Sequence, residues 1–422
     1  MSHKISPTSP LPDANAVLVP RLRFPEFRGA GEWKTDGLGT VADFVNEKIN
    51  LERVALDCYV STENVLPDYG GIARASKLPT TGSVTRFVPN DTLVSNIRPY
   101  LKKVWIADKE GGASNDVVVI RAKRRLLPQY FAFLLKNDAF IDYVMTGAKG
   151  VKMPRGDIDS MKEYPVLYPT NSEQQKIANC LGSLEELIAA QVRKVSALKN
   201  HKNGLMQQLF PREGETKPRL RFPEFQKAGA WEETRLRRLG ELVSGLTYSP
   251  DDVRESGLLV LRSSNVQSGE IALDDCVYVD PSVKGANLSQ PNDILICVRN
   301  GSKSLIGKCA LIPDGLPLCT HGAFMTVFRA KTPSFVFQIF QTDRYQKQVA
   351  GDLGATINSI NGGQLLKYEF FVPKLPEQQR IASLLSSFDA LITAETQKLE
   401  AFKTHKKGMM QQLFPSPEEV RA

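Results

Sequence analysis

Apolar residues recur every four and three positions along residues 173–211 and again along 377–415. In the first stretch the series is Ile177, Leu181, Leu184, Ile188, Gln191, Val195, Leu198, Lys202, Leu205 and Leu209. In the second it is Ile381, Leu385, Phe388, Ile392, Glu395, Leu399, Phe402, Lys406, Met409 and Leu413. A 3.5-residue repeat sustained this long predicts a helix of ~37 residues, ~55 Å in length, in each stretch. Ser172 is placed to cap the first helix, Pro376 suits the first turn of the second, and Pro211 and Pro415 end them. Antiparallel pairing of the two as a left-handed coiled coil would relate the two halves of the chain by a two-fold axis, with the bodies between at opposite ends of a spacer. Two separate amphipathic helices, each packed on its own domain, is the alternative. Gln191, Lys202, Glu395 and Lys406 interrupt the seam and either fix its register or mark solvated edges.

The remaining segments switch to a shorter period. PNDTLVSNI, NDVVVIRAK, NDILICVR and FMTVFRAK join β-branched runs to turn residues and predict strands. PQYFAFLLKNDAFIDYVM and SFVFQIFQTDRYQKQVA predict helices that follow them. The fold class is therefore α+β, with two mixed bodies separated by two long helices.

The two halves are copies of one unit. PRLRFPEF occurs at residues 20–27 and again at 218–225, and Trp33 pairs with Trp231 at the same offset. YVSTENV aligns with VLRSSNV, PNDTLV with PNDILI, GAKG (147–150) with GDLG (351–354), Tyr164 with Tyr368, and Pro169 with Pro373. The closest match lies in the helices, from EQQKIANCLGS to GLMQQLFP and from EQQRIASLLSS to GMMQQLFP. The expected organisation is a Pro/Ser-rich disordered leader (1–19), a first body (20–170), a central helix (171–211), a polar linker (212–219), a second body (220–374), a C-terminal helix (375–415) and a tail (416–422).

At 422 residues the chain exceeds what one core usually organises, in keeping with two bodies. An excess of 54 Lys+Arg over 46 Asp+Glu permits binding to nucleic acid or another anionic surface. The six cysteines form no CxxC pair and the four histidines lie far from them, which argues against a zinc site or a disulfide framework. Without a long apolar run or a secretory leader, a cytoplasmic location is expected.

Catalytic patterns do not emerge. GSKSLIGKC, residues 301–309, has five residues between its glycines and a cysteine where a phosphate-binding loop needs Ser or Thr. Glu215-Thr-Lys217 has an ExK shape but sits in the linker without an upstream acidic partner. No GxGxxG follows a strand, and HExxH and the Asn-Pro-Pro-aromatic tetrapeptide are lacking.

Signals for nucleic acid are better. IRPYLKKVW interleaves Arg98, Lys102 and Lys103 with Tyr100, and GAKGVKMPR adds Lys149, Lys152 and Arg155. In the second half RSSN, RNGSK and INSING supply Arg262, Asn265, Arg299, Asn300, Lys303, Asn358 and Asn361, with Asn64 the counterpart of Asn265. Basic side chains neutralise phosphates, and Arg and Asn read base edges. Solvated loops are the plainer reading of each cluster alone.

Two variable bodies alternating with near-identical heptad helices, marked by LxFPEF before each body and EQQxIA…QQLFP along each helix, resemble the specificity subunit of type I restriction-modification systems. The resemblance implies that each body is a target recognition domain reading one half of a bipartite double-stranded DNA sequence. It also implies that the helices hold the halves apart and dock two modification (methyltransferase) subunits, joined by restriction/translocase subunits. Catalysis would then sit on those partners, with S-adenosylmethionine, ATP and Mg, and no cofactor on this chain. A coiled-coil scaffold joining two protein-binding domains, and a self-sufficient restriction-modification enzyme, are the rival readings.

Overall fold

The structure, a computed structural model, describes residues 19–353 and 358–415. Most of the expected leader, the tail and Gly354 of the second GDLG block lie outside the described residues. The chain divides into two compact units, one of residues 1–192 and 398–422, the other of residues 193–397. The continuous helices Asn171–Leu209 and Leu375–Leu413 are each shared between them.

In the first unit a four-stranded antiparallel sheet runs in the order Ala42–Phe44, Val117–Ala122, Thr92–Ser95, Val104–Ile106. A second sheet orders Lys48–Asn50, Ser83–Phe87, Gly111–Ala113 and Tyr59–Val60, its last pair parallel. The strand Lys34–Gly37 pairs with Pro165–Tyr168. The second unit repeats the plan. Gly240–Ser244, Met325–Ala330, Ile294–Cys297 and Cys309–Leu311 form the first sheet, and Glu232–Arg235 pairs with Glu369–Val372. The four strand segments expected from sequence all fall in these sheets.

The helical segments are each divided in two. Pro128–Leu135 is followed by Asp138–Thr146, because Asn137 turns the chain and its side chain accepts from Ala139 N at 3.1 Å. Likewise Pro333–Ile339 is followed by Asp343–Asp352, with Thr342 as the cap. The central helix begins at Asn171, so Ser172 lies in its first turn and is not the cap; Gln174 N donates to the carbonyl of Thr170 at 2.9 Å.

Each unit closes its core with the start of one long helix and the end of the other. In the first, Ile177 and Leu181 join Met410, Leu413 and Phe414 around Trp33, Tyr130 and Phe131. In the second, Ile381 and Leu385 join Met206, Leu209 and Phe210 around Trp231 and Phe335. All the apolar seam positions are buried or half-buried. Within the second unit Lys194 pairs with Glu395 at 2.5 Å and Lys202 with Asp389 at 2.6 Å, so the helix segments run in opposite directions. Lys202 is 4% exposed and therefore not a solvated edge. In the first unit Lys406 meets Glu185 at 2.6 Å, and Lys136 reaches the same carboxylate at 3.0 Å.

The repeated octapeptide has a structural reason. Arg23 donates from Nε and Nη2 to both carboxylate oxygens of Glu173 at 2.8 Å, and from Nη1 to the carbonyl of Ala30. Arg221 does the same to Glu377, at 2.7 and 2.6 Å, and to the carbonyl of Ala228. Glu173 and Glu377 lie in the first turn of their helices, where the N-terminal dipole also favours an anion. The backbone N–H of Leu22 then donates to the carbonyl of Gln412, and that of Leu220 to Gln208. Each PRLRFPEF therefore fastens the start of one helix to the end of the other.

Candidate nucleic-acid interface

The candidate loops are carried by strands whose ends are fixed the same way in both units. Asp91 accepts both arms of Arg121 at 2.7 Å and the N–H of Val88 at 2.9 Å. Asp293 accepts both arms of Arg329 at 2.9 and 2.8 Å and the N–H of Gln290 at 2.8 Å. These buried carboxylates are the Asp of the repeated PND motif, which sequence reading aligned without assigning a role.

At the far end of Thr92–Ser95, residues 96–103 meet the loop 148–156. Arg98 N donates to the carbonyl of Pro154 at 2.8 Å, and Lys149 and Arg155 exchange backbone bonds at 2.9 Å. Gly156 lies where the loop crosses Asn96; an added Cβ would come within 2.7 Å of its Oδ1. Arg155 is held by Asp116, the residue just ahead of strand Val117–Ala122. Lys149 pairs with Asp157 at 2.6 Å, and that ammonium holds the Asp157 carboxyl below its ordinary value. Lys102 turns to Asp138 and Lys103 to the carbonyl of Thr62, so both brace the loop. Arg98, Tyr100 and Lys152 face solvent beside Val151 and Met153, which are 100% and 54% exposed. Among the described residues, Arg98 and Lys152 carry no ion pair.

In the second unit three segments meet at the corresponding end of Ile294–Cys297. Val298 and Arg299 both donate their N–H to the carbonyl of Phe324, and Ile360 N donates to the carbonyl of Val298. The Arg299 guanidinium lies over the Phe324 ring at 5.5 Å. Asn300 donates to Ser263 Oγ at 3.0 Å and accepts from Ser302 N. Asn358 donates to the carbonyl of Gly301 at 3.1 Å. Arg262 pairs with Asp275 at 2.7 Å, Lys303 is exposed, and Asn361 caps the short helix Gly362–Leu365.

Two expected contact residues are corrected by their burial. Asn64 and Asn265 are 6% and 0% exposed, and both amide hydrogens of each are donated to carbonyls: Tyr59 and Ala73 for Asn64, Ala272 and Asp275 for Asn265. They close a turn in each unit and present no polar edge to a ligand. Conversely, Asp116 and Phe324, which orient the exposed arginines, were missed; each stands one residue ahead of an equivalent strand, a signal visible only after the strands are placed.

Other reactive groups here are structural. Burial pushes the Cys309 thiol up to about 12. It also pulls His321 below its ordinary value, where the ring meets Ser289 Oγ and the Val243 carbonyl. Among the described residues no cluster of His, Cys, Asp and Glu could hold a metal, and no helix is long and apolar enough to cross a membrane.

A family model described as the type I restriction modification DNA specificity domain matches residues 75–200 and 229–403. The chain is 23% identical over 329 residues to the type I restriction enzyme MjaVIII specificity subunit of Methanocaldococcus jannaschii, covering 74% of this chain and 76% of that protein. It is 29% identical over 169 residues to the EcoKI specificity subunit of Escherichia coli K12, covering 38% of this chain and 36% of that protein. The fold is similar to the crystal structure of a type I restriction-modification S subunit from M. genitalium (TM-score 0.61, 14% identity, 94% and 99% of the chains covered). It is also similar to a chain from a study of complex assembly in a type I R-M system (TM-score 0.52, 17% identity, 92% and 98% covered).

Proposed function

We infer the function from one premise: this chain belongs to the family of type I restriction modification DNA specificity domains. It is a DNA-specificity subunit in which each body, residues 20–170 and 220–374, reads one half of a bipartite target. The observation that carries this is the twofold occurrence of one arrangement. In each unit exposed Arg and Lys side chains gather at the end of a strand whose start is anchored by a buried Asp paired with a half-exposed Arg. Such tips suit phosphate and base contacts together.

The long helices are proposed to pair as an antiparallel coiled coil related by a pseudo-two-fold axis, spacing the bodies. The two opposed ion pairs of the second unit, the Lys406–Glu185 pair of the first and the buried or half-buried seam support that pairing. Two modification subunits would dock on the repeated helices, with restriction/translocase subunits outside them, and the assembly would work in the cytoplasm. The chain itself would be non-catalytic, with S-adenosylmethionine, ATP and Mg bound by the partners.

Methylome sequencing of cells with and without this gene tests the reading. A two-part methylated sequence that disappears with the gene is expected. An unchanged methylome would favour the scaffold joining two protein-binding domains. Inserting four residues between Val192 and Val195 adds ~6 Å. The spacer should lengthen by one to two base pairs at ~3.4 Å each, while both half-sites stay the same.

A further inference from the structure

We propose that Arg299 reads a guanine in the half-site bound by the second unit, with Phe324 as its positioning residue. This rests on the DNA-specificity reading above. Several prominent arginines of the two units, Arg23, Arg121, Arg155, Arg221, Arg262 and Arg329, are each paired with a carboxylate that engages part of their donor set. Arg299 is different. It is exposed, its guanidinium lies 5.5 Å over an aromatic ring, and no acid is paired with it among the described residues.

A guanidinium lying on a ring face is held in orientation without using its hydrogens, so its donor fork stays open to solvent. That fork matches two acceptors side by side in one plane, which on a base edge are O6 and N7 of guanine. The backbone beneath is fixed by three hydrogen bonds from two segments, Arg299 N and Val298 N on the Phe324 carbonyl and Ile360 N on the Val298 carbonyl. The ring is itself 56% exposed, so it can lie against the same DNA surface as the arginine it carries. Asn300 and Asn358 are held by Ser263 and Gly301, which ties the loop that follows Arg299 to its neighbours.

The test compares the full chain, assembled with its modification partner, as wild type, Arg299→Ala, Arg299→Lys, Phe324→Ala and Phe324→Tyr, by methylome sequencing and by binding to randomised duplexes. Loss of discrimination at a single guanine of one half-site, by roughly 5- to 150-fold in Arg299→Ala, is expected. Arg299→Lys should restore little, because an ammonium cannot supply the fork. Phe324→Ala should relax the same position and Phe324→Tyr should keep it, a pattern that simple loss of folding would not produce. The other half-site is the internal control. Weaker binding with an unchanged sequence preference and a salt slope lower by about one would make Arg299 a phosphate contact and overturn the proposal. An unchanged preference and affinity would also overturn it. If the wild-type assembly itself selected no sequence, the DNA-specificity reading would fail first.

Discussion

The two units share their joints and differ at their tips. Arg23–Glu173 and Arg221–Glu377 are the same buried bidentate pair, and Asp91–Arg121 and Asp293–Arg329 are the same strand anchor. At the loops, one position changes the chemistry. Asp116 draws Arg155 into an ion pair in the first unit, whereas Phe324, also one residue ahead of its strand, supports the uncompensated charge of Arg299 in the second. A duplicated frame with a divergent tip would let a read-out at the tips change without altering how the helices are joined. The joints even tolerate small asymmetry: Trp231 Nε1 donates to Glu377 at 3.3 Å, while the buried Trp33 Nε1 finds no partner among the described residues.

The largest break in this comparison should come from the joints. Glu173→Ala or Glu377→Ala leaves a buried guanidinium unpaired and should destabilise its unit by ~3–5 kcal/mol. Glu377→Ala should cost slightly more, because the Trp231 indole is orphaned as well; urea unfolding of both variants measures the difference.

Next in size are the strand anchors. Arg121→Ala and Arg329→Ala each leave a buried aspartate with its backbone bond alone and should cost about 2 kcal/mol. Equal losses in thermal unfolding would affirm that the anchors are equivalent, and an unequal pair would show that the frames differ.

A smaller, pH-dependent effect separates the helix contacts. Burial pushes Glu185 up, but the ammonium groups of Lys136 and Lys406 outweigh it and leave the carboxyl below its ordinary value. Its stabilising contribution is therefore full above the unfolded glutamate value of ~4.3 and is lost as pH falls through the lower folded value. Glu185→Gln should be less stable at neutral pH, where it leaves the buried Lys136 without its counter-charge, and should lose less on acidification than wild type. Denaturant titrations between about pH 6 and pH 2 check both signs.

The smallest effect should come from Lys152→Ala at the first tip. Stability should change by no more than ~0.5 kcal/mol, while the salt slope of DNA binding falls by about one. A larger loss of stability would place Lys152 in the frame.

Periodicity and self-similarity in the sequence determined the helices, the duplication and most of the core. Apolar spacing such as Ile177, Leu181, Leu184 is a local property that holds wherever the helix packs, and identical residues such as Arg23 and Arg221 make identical pairs. The sequence did not reveal that the long aromatic-rich helices break at Asn137 and Thr342, since a capping side chain competes with helix continuation only once the flanking pieces pack apart. Nor could it sort the polar candidates. Asn64, Asn265, Lys102 and Lys103 look like loop residues in sequence and act as braces, because their partners stand five to forty-one residues away. Which arginine meets an acid and which a ring was decided only where distant strands and loops converge.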